Sequence, residues 1–124
     1  YNLGYFYRNG EGVEKDPKKA AMWYEKAAEQ GFAEAQYMLG YCYNIGVGVE
    51  KDTSKAVFWY RKAAEQGNAG AQYELGECYY YGNGIDENET EAVKWYQKAA
   101  EQGDTDAQFA LGKCYYYGNG TEVN

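Results

Sequence analysis

The hexapeptide KAAEQG occurs three times in the chain, at Lys26–Gly31, Lys62–Gly67 and Lys98–Gly103. Both intervals are 36 residues, and leucine, tryptophan and paired-glycine positions outside the hexapeptide keep the same interval. A period of roughly 20 to 50 residues is typical of stacked repeats, each of which buries its apolar face only against its neighbours. The 124 residues hold just under three and a half such periods. The interval therefore predicts a repeat array.

Each period contains two predicted helices. The segment AEAQYMLGYCYNIG has apolar residues at i, i+4, i+7 and i+8, which is one face of a helix: Ala35, Leu39, Cys42 and Tyr43. The segment TSKAVFWYRKAAEQ has a second stripe: Ala56, Tyr60, Ala63 and Ala64. Gly40 falls inside the first helix, where glycine costs about 1 kcal/mol relative to alanine. We expect close approach of the partner helix to require it.

Turn and cap residues separate the predicted helices. The glycines of GVGVEKD end the first helix, and Val49 is expected to fold back onto the core. Asp52, like Asp16 before Pro17, is a predicted N-cap of the second helix. In KAAEQG the paired alanines permit close helix packing, the glycine ends the helix in a left-handed conformation, and Asn68 or Asp104 caps the next helix. The hexapeptide is therefore interpreted as a packing and turn unit.

These elements predict an all-α protein, an α-solenoid of antiparallel helix pairs in 36-residue repeats. The period divides a single array into a partial repeat at 1–32, complete repeats at 33–68 and 69–104, and a partial repeat at 105–124.

The composition excludes several classes of partner. The net charge is −7 and the basic residues are scattered among acids, which disfavours nucleic acid and anionic membrane surfaces. No apolar run approaches the length of a membrane-spanning helix, so membrane insertion is not expected. No signal-peptide pattern is visible at the amino end.

Three cysteines share one repeat position: Cys42, Cys78 and Cys114. No second cysteine is available within any repeat, and all three follow a leucine on the apolar stripe. We expect three buried, reduced thiols without a catalytic, metal or redox role. Such thiols favour a reducing, cytoplasmic compartment, although the sequence leaves the localisation otherwise unknown.

The residues that usually perform catalysis or bind metals are scarce. The chain has no histidine and no Cys-x-x-Cys pair. Its single serine is Ser54, and an S-x-x-K nucleophile would need a lysine three positions later, where the chain has Val57. The acidic segment Asp86–Glu91 lacks the glycine and the final glutamate of a calcium loop. The sequons at Asn88 and Asn119 are interpreted as turn and cap residues. We therefore expect no enzymatic activity, no metal and no cofactor.

The repeat resembles the SEL-one-like repeat (SLR) family, a relative of the tetratricopeptide repeat. The residues that carry the resemblance are Ala33, Ala35, Leu39, Gly40, Tyr43, Gly46, Gly48, Asp52, Lys55, Ala56, Trp59, Tyr60, Lys62, Ala63, Ala64 and Gly67. Asn88 and Glu91 depart from the pattern, replacing an aspartate and a lysine. The resemblance implies a right-handed superhelix and a non-catalytic adaptor that gathers other proteins. The inter-helix disulfide of some members is not carried over, because the second helices here lack cysteine.

Tyrosine is more abundant than a helical core requires, with 16 in the chain. In tetratricopeptide-like stacks the first helix of each pair lines the concave surface, and tyrosine is common in binding surfaces. The predicted partner-binding residues on that surface are Tyr5, Glu34, Tyr37, Tyr41, Asn44, Tyr73, Glu77, Tyr80, Tyr81, Phe109, Lys113, Tyr116 and Tyr117. An alternative for the column Tyr37, Tyr73 and Phe109 is packing between adjacent first helices.

Two functions remain open. The first is a protein-interaction scaffold that binds a peptide or protein partner through these tyrosines and carboxylates. The second is a structural, self-assembling element, since no second helix follows to cover Leu111, Cys114 and Tyr115. Such an end can contact the start of another copy head to tail, an arrangement that does not close.

Overall fold

Six helices of thirteen residues follow one another in the computed structural model, which describes residues 15–118. They are α1 (Pro17–Glu29), α2 (Ala33–Ile45), α3 (Thr53–Glu65), α4 (Ala69–Tyr81), α5 (Glu89–Glu101) and α6 (Thr105–Tyr117). We call α2, α4 and α6 the first helices and α1, α3 and α5 the second helices. The described residues form no strand.

Side-chain caps start the second helices as the sequence predicts. Asp16 Oδ1 accepts a hydrogen bond from the Lys19 amide at 3.2 Å, and Asp52 Oδ1 accepts one from the Lys55 amide at 3.1 Å. Asn88, at the equivalent position, caps α5 in the same way. These bonds satisfy amides that have no partner within the helix. The predicted caps Asn68 and Asp104 also accept from backbone amides in α4 and α6.

The glycine that ends KAAEQG has a left-handed backbone in every copy. The φ angles of Gly31, Gly67 and Gly103 are 96°, 97° and 95°, a region that favours glycine because it has no Cβ. The amide of the residue after the glycine bonds back to an alanine carbonyl of the helix, as Asn68 does to Ala63 at 3.1 Å. The interpretation of the hexapeptide as a turn unit is confirmed.

Each helix packs against the next one along the chain, so the core is a row of helix pairs. The predicted stripes are buried, with Ala35, Leu39, Ala56 and Tyr60 all at 0% exposure. Val49 packs against this core as expected.

The mid-helix glycines allow tyrosine rings of the second helices to lie against the first helices. A Cβ placed on Gly40 would lie 2.7 Å from the Tyr60 ring, and one on Gly76 would lie 2.7 Å from the Tyr96 ring. No side chain other than hydrogen fits at that distance. The expected close approach is therefore confirmed, and it explains why a residue with poor helix propensity recurs at this position.

Buried glutamine amides join consecutive repeats, a feature that the sequence reading did not predict. Gln72, 5% exposed, donates from Nε2 to the Ala64 carbonyl at 3.1 Å and accepts from Gln102 Nε2 at 2.8 Å. Gln36 and Gln66 form the same pair one repeat earlier, also at 2.8 Å. Because buried polar groups need hydrogen-bond partners, each pair fixes the register between its helices. We call these contacts the glutamine ladder.

All three cysteines are buried and none is in a disulfide. Cys114 is 2% exposed, although no second helix follows α6 among the described residues. It lies in one cluster with Ala92, Val93 and Tyr96 of α5, so the preceding helix covers it. The expectation of buried cysteines is confirmed for all three.

Candidate functional site

The predicted binding residues within the described region repeat at equivalent positions of α2, α4 and α6. We call this set the first-helix face: Glu34, Tyr37, Tyr41, Asn44, Tyr73, Glu77, Tyr80, Tyr81, Phe109, Lys113, Tyr116 and Tyr117. Tyr5 lies outside the described residues.

The column of Tyr37, Tyr73 and Phe109 is buried to different extents. Tyr37 is half-buried, with its ring centroid 6.1 Å from that of Tyr60. A Cβ on Gly70 of α4 would lie 3.0 Å from Tyr37 Cζ, so this ring packs between adjacent first helices. Tyr73 is also half-buried, 5.9 Å from Tyr96, whereas Phe109 is 69% exposed. The column thus provides packing in α2 and α4 and free aromatic surface in α6.

A cavity of about 140 Å³ lies between α4 and α6. The first-helix face contributes five of its lining residues, which are Glu77, Tyr80, Tyr81, Lys113 and Tyr117. The remaining lining comes from Tyr96, Ala110 and Cys114. The structure therefore brings a carboxylate, a lysine and three tyrosines of the predicted set together at one place.

A hydrogen bond orients the carboxylate in this cavity. The Tyr96 hydroxyl of α5 donates to Glu77 Oε1 at 2.5 Å. The ring of Tyr80 lies 6.5 Å from that of Tyr96 and makes an edge-to-face contact with Tyr81 at 4.9 Å. Edge-to-face packing is a favourable geometry for aromatic pairs, so Tyr80 and Tyr81 stabilise each other's position at the wall of the cavity.

Beyond the cavity, α6 presents its aromatic residues to solvent. Tyr116 and Tyr117 are 82% and 67% exposed and lie edge to face. Lys113 Nζ lies 5.0 Å from the centroid of the Phe109 ring. These four residues line an open depression of about 300 Å³ together with Gln108 and Gly112.

The remaining predicted residues lie away from the cavity. Glu34 Oε1 accepts a hydrogen bond from Asn68 Nδ2 at 3.1 Å, at the junction of α2 and α4. Tyr41 and Asn44 on α2 are half-buried and do not line the cavity. The first-helix face is therefore spread along three helices, and five of its residues meet at the cavity between α4 and α6.

The sequence reading missed Glu74, which lies beside this set. Its equivalents in the other repeats, Met38 and Ala110, are 9% and 8% exposed. Burial raises the pKa of the half-buried Glu74 carboxyl to about 7, with smaller contributions from Glu77, Asp104 and Asp106. A carboxylate in an otherwise apolar column was the signal that could have identified it.

Two equivalent tyrosine hydroxyls differ in their partners. Tyr96 donates to Glu77, but the position equivalent to Glu77 in the previous repeat is Tyr41. The Tyr60 hydroxyl is buried and forms no hydrogen bond in the described part of the chain. Burial raises the pKa of Tyr60, and Glu74 raises it further. The hydroxyl thus lies within the electrostatic reach of the Glu74 carboxyl.

Charge is divided between the two kinds of helix. The three first helices carry four acidic residues, Glu34, Glu74, Glu77 and Asp106, and one basic residue, Lys113. The three second helices carry eight lysines and arginines and six glutamates. Among the helices, therefore, the first helices carry an excess of acidic residues and the second helices an excess of basic ones.

Within residues 15–118, no group of three or more acidic, cysteine or histidine side chains is placed to hold a metal ion. No helix in the same range is long and apolar enough to cross a bilayer.

Comparison with known proteins identifies the repeat. The Sel1 repeat model matches residues 1–32, 33–68, 69–104 and 105–124. A protective antigen of uropathogenic Escherichia coli with an SLR fold is 44% identical, with a TM-score of 0.97. A Sel1 repeat protein from Oxalobacter formigenes is 47% identical, with a TM-score of 0.93. The cysteine-rich protein B of Helicobacter pylori is 32% identical, with a TM-score of 0.74.

These matches differ in how much of each protein they cover. They include 100%, 99% and 81% of this chain, and 27%, 51% and 76% of the Escherichia coli, Oxalobacter and Helicobacter chains respectively. The comparison with curated proteins gives no match. Sel1-repeat proteins are generally protein-interaction scaffolds and are typically non-catalytic. Because the repeat model matches along the whole chain and the helix pairs superpose on SLR structures, this chain belongs to the Sel1-repeat family.

Proposed function

We propose that the chain is a non-catalytic scaffold that binds a peptide segment of a partner protein along the first-helix face, on the concave side of the solenoid. The observation that carries this proposal is an exposed tyrosine ring at the same position of two first helices. Tyr81 of α4 and its equivalent Tyr117 of α6 are 57% and 67% exposed. Neither ring is buried in the core.

The chemistry of tyrosine supports a role in recognition. Its ring offers a large contact area with few rotatable bonds, and its hydroxyl can bond to a peptide backbone. Neighbouring helices lie about 8–10 Å apart, and an extended peptide advances about 3.3 Å per residue. A segment of about six residues would therefore reach from α2 to α6.

Selection from a library of displayed random peptides tests the proposal. The double variant Tyr81→Ala, Tyr117→Ala removes two exposed rings beside the cavity. Phe58→Ala removes an equally exposed ring from a second helix, since Phe58 is 52% exposed, and is the matched control. We expect the double variant to bind the selected peptides at least about tenfold more weakly, because central aromatic residues dominate interface energies, with an unchanged thermal melt.

Either of two results would refute the binding face. One is equal binding of the selected peptides by the double variant and the parent. The other is an equal loss in the Phe58→Ala control.

A second candidate function is end-to-end assembly of the chain with further copies. The observation that favours it is the side of α6 that no described residue covers. Within residues 15–118, no atom lies within 4 Å of a Cβ placed on Gly112, although its equivalents Gly40 and Gly76 meet a tyrosine ring, and Tyr115 is 50% exposed. Sedimentation over a concentration series separates the candidates: growing species that Leu111→Arg abolishes support assembly, and a monomer at all concentrations excludes it.

A further inference from the structure

We infer that the partner segment is basic and that it places a lysine or arginine side chain against Glu74 and the neighbouring cavity at Glu77. This inference rests on the proposed binding face and specifies the chemistry of its ligand. It is argued from charge distribution, from the surroundings of Glu74, and from the aromatic lining.

Charge complementarity is the first argument. The first helices carry four carboxyl groups and one lysine, and Asp104 at the start of α6 adds a fifth carboxyl. A surface of one sign attracts ligands of the other sign and excludes ligands of its own. An acidic segment would approach these carboxylates with little to neutralise it, so a basic one is favoured.

Glu74 lacks a compensating cation. Every charged group that shifts its pKa in the described part of the chain is another acid: Glu77, Asp104 and Asp106. A partly buried carboxylate normally has a positive partner or hydrogen-bond donors. A lysine or arginine from outside the chain would supply both.

The buried Tyr60 hydroxyl is an independent indication at the same place. It has no hydrogen-bond partner among the described residues, and its pKa responds to Glu74, Cys78, Tyr37 and Tyr41. Its equivalent, Tyr96, bonds to a carboxylate of the first-helix face. Tyr60 is therefore a buried polar group without a hydrogen-bond partner among the described residues, and it lies within the electrostatic reach of a carboxyl group that no described cation compensates.

The aromatic lining suits a cationic side chain. Tyr80, Tyr81 and Tyr117 line the same cavity as Glu77. An ammonium or guanidinium group is attracted to the faces of aromatic rings within about 6 Å. Lys113 also lines this cavity, but its Nζ lies beside the Phe109 ring. It is the one basic residue of the first helices, and its positive charge would repel an incoming lysine or arginine.

Binding of a basic segment will depend on pH through Glu74. The groups that act on this carboxyl or respond to it are Tyr37 on α2, Tyr60 on α3, Tyr73, Glu77 and Cys78 on α4, and Asp104 and Asp106 at the start of α6. Tyr96 on α5 reaches the same patch through its bond to Glu77. Because these neighbours supply no positive charge, a cationic ligand favours the ionised carboxylate and releases a proton on binding.

Two labelled peptides of about twelve residues, long enough to cross the three first helices, test the inference by fluorescence anisotropy. One repeats Arg-Ala-Tyr-Ala, and its control has glutamate in place of each arginine. We expect the basic peptide to bind at least about tenfold more tightly than the acidic one. This difference corresponds to the contribution of a single charge-assisted hydrogen bond. Its affinity should increase between about pH 6 and pH 8, as Glu74 ionises.

Variants locate the effect. Glu74→Gln should weaken the basic peptide about three- to tenfold and remove the increase with pH. Glu65→Gln, which removes the same charge from a second helix, should change neither property. Lys113→Met should strengthen binding, since it removes the competing cation.

The possible failures are distinguishable. Equal binding of the two peptides, no binding of either, or equal losses for Glu74→Gln and Glu65→Gln would overturn the inference. If the peptides selected by display are neutral or acidic and still need Tyr81 and Tyr117, the inference fails and the binding face stands. If no peptide depends on those tyrosines, both fail.

Discussion

Replacing Gly76 with alanine tests the reason for glycine inside the first helices. The new Cβ would lie 2.7 Å from Cδ1 and 2.8 Å from Cε1 of the Tyr96 ring, and 3.3 Å from the Ala92 carbonyl oxygen. Tyr96 is 2% exposed, so its ring has little space in which to move. Overpacking of this kind costs about 1–3 kcal/mol, whereas alanine gains about 1 kcal/mol over glycine in helix propensity.

The net expectation is a loss of about 1 kcal/mol in the free energy of unfolding. For a domain of this size that loss lowers the melting temperature by roughly 4 °C. Gly112→Ala is the matched control, because it makes the same change at the equivalent position of α6, where no atom of the described residues lies within 4 Å of the new Cβ. It should gain the full helix propensity, about 1 kcal/mol, and melt roughly 4 °C higher.

Urea unfolding followed by circular dichroism measures both changes. A double-mutant cycle adds Tyr96→Leu: if the ring is the obstacle, Gly76→Ala should cost less in the Tyr96→Leu background than in the parent. If Gly76→Ala stabilises the chain as much as Gly112→Ala does, the close-approach explanation is wrong.

Further measurements examine the core and the buried carboxyl. Cys42, Cys78 and Cys114 should react slowly with a thiol reagent until denaturant is added, because burial raises the pKa of Cys78 to about 12 and also raises that of Cys114; rapid labelling of the native protein would contradict this. Gln72→Ala should lower the free energy of unfolding by about 1–3 kcal/mol, since it leaves buried ladder partners unsatisfied, and an unchanged urea midpoint would show that the ladder adds no stability. Burial raises the pKa of Glu74 from its ordinary value of 4.5 to about 7, so the folded state binds more protons than the unfolded state between these values, and the free energy of unfolding falls as pH rises through them. Glu74→Gln should therefore raise the melting temperature more at about pH 8 than at about pH 5, and an equal effect at both pH values would count against the raised pKa.

The sequence predicted those features that a local pattern determines. The apolar spacing located α2 and α3, and the aspartate and asparagine caps marked where helices begin. Gly40 indicated a close contact, because glycine lowers the stability of a helix and such a residue inside a helix needs a structural reason.

The glutamine ladder and Glu74 could not be predicted in the same way. Gln36 and Gln66 meet through side-chain rotamers and helix orientations that no local pattern encodes. Glu74 is an acidic residue, and no local pattern indicates that the fold buries half of it and so raises its pKa to about 7. Both are properties of how repeats contact each other, which the repeat unit taken alone does not specify.

The glutamine ladder also bears on how arrays of this kind lengthen and shorten. Each pair joins residues 30 positions apart, Gln36 with Gln66 and Gln72 with Gln102, and the pairs recur every 36 residues. If any 36 consecutive residues between Gln36 and Gln102 are deleted, the remaining glutamines are again 30 positions apart and can form the same pair. A deletion or duplication within the gene can therefore begin at any point of a repeat and still leave the glutamine pairs intact, provided that its length is a multiple of 36 residues. A change of any other length within the array would disrupt the spacing of the ladder.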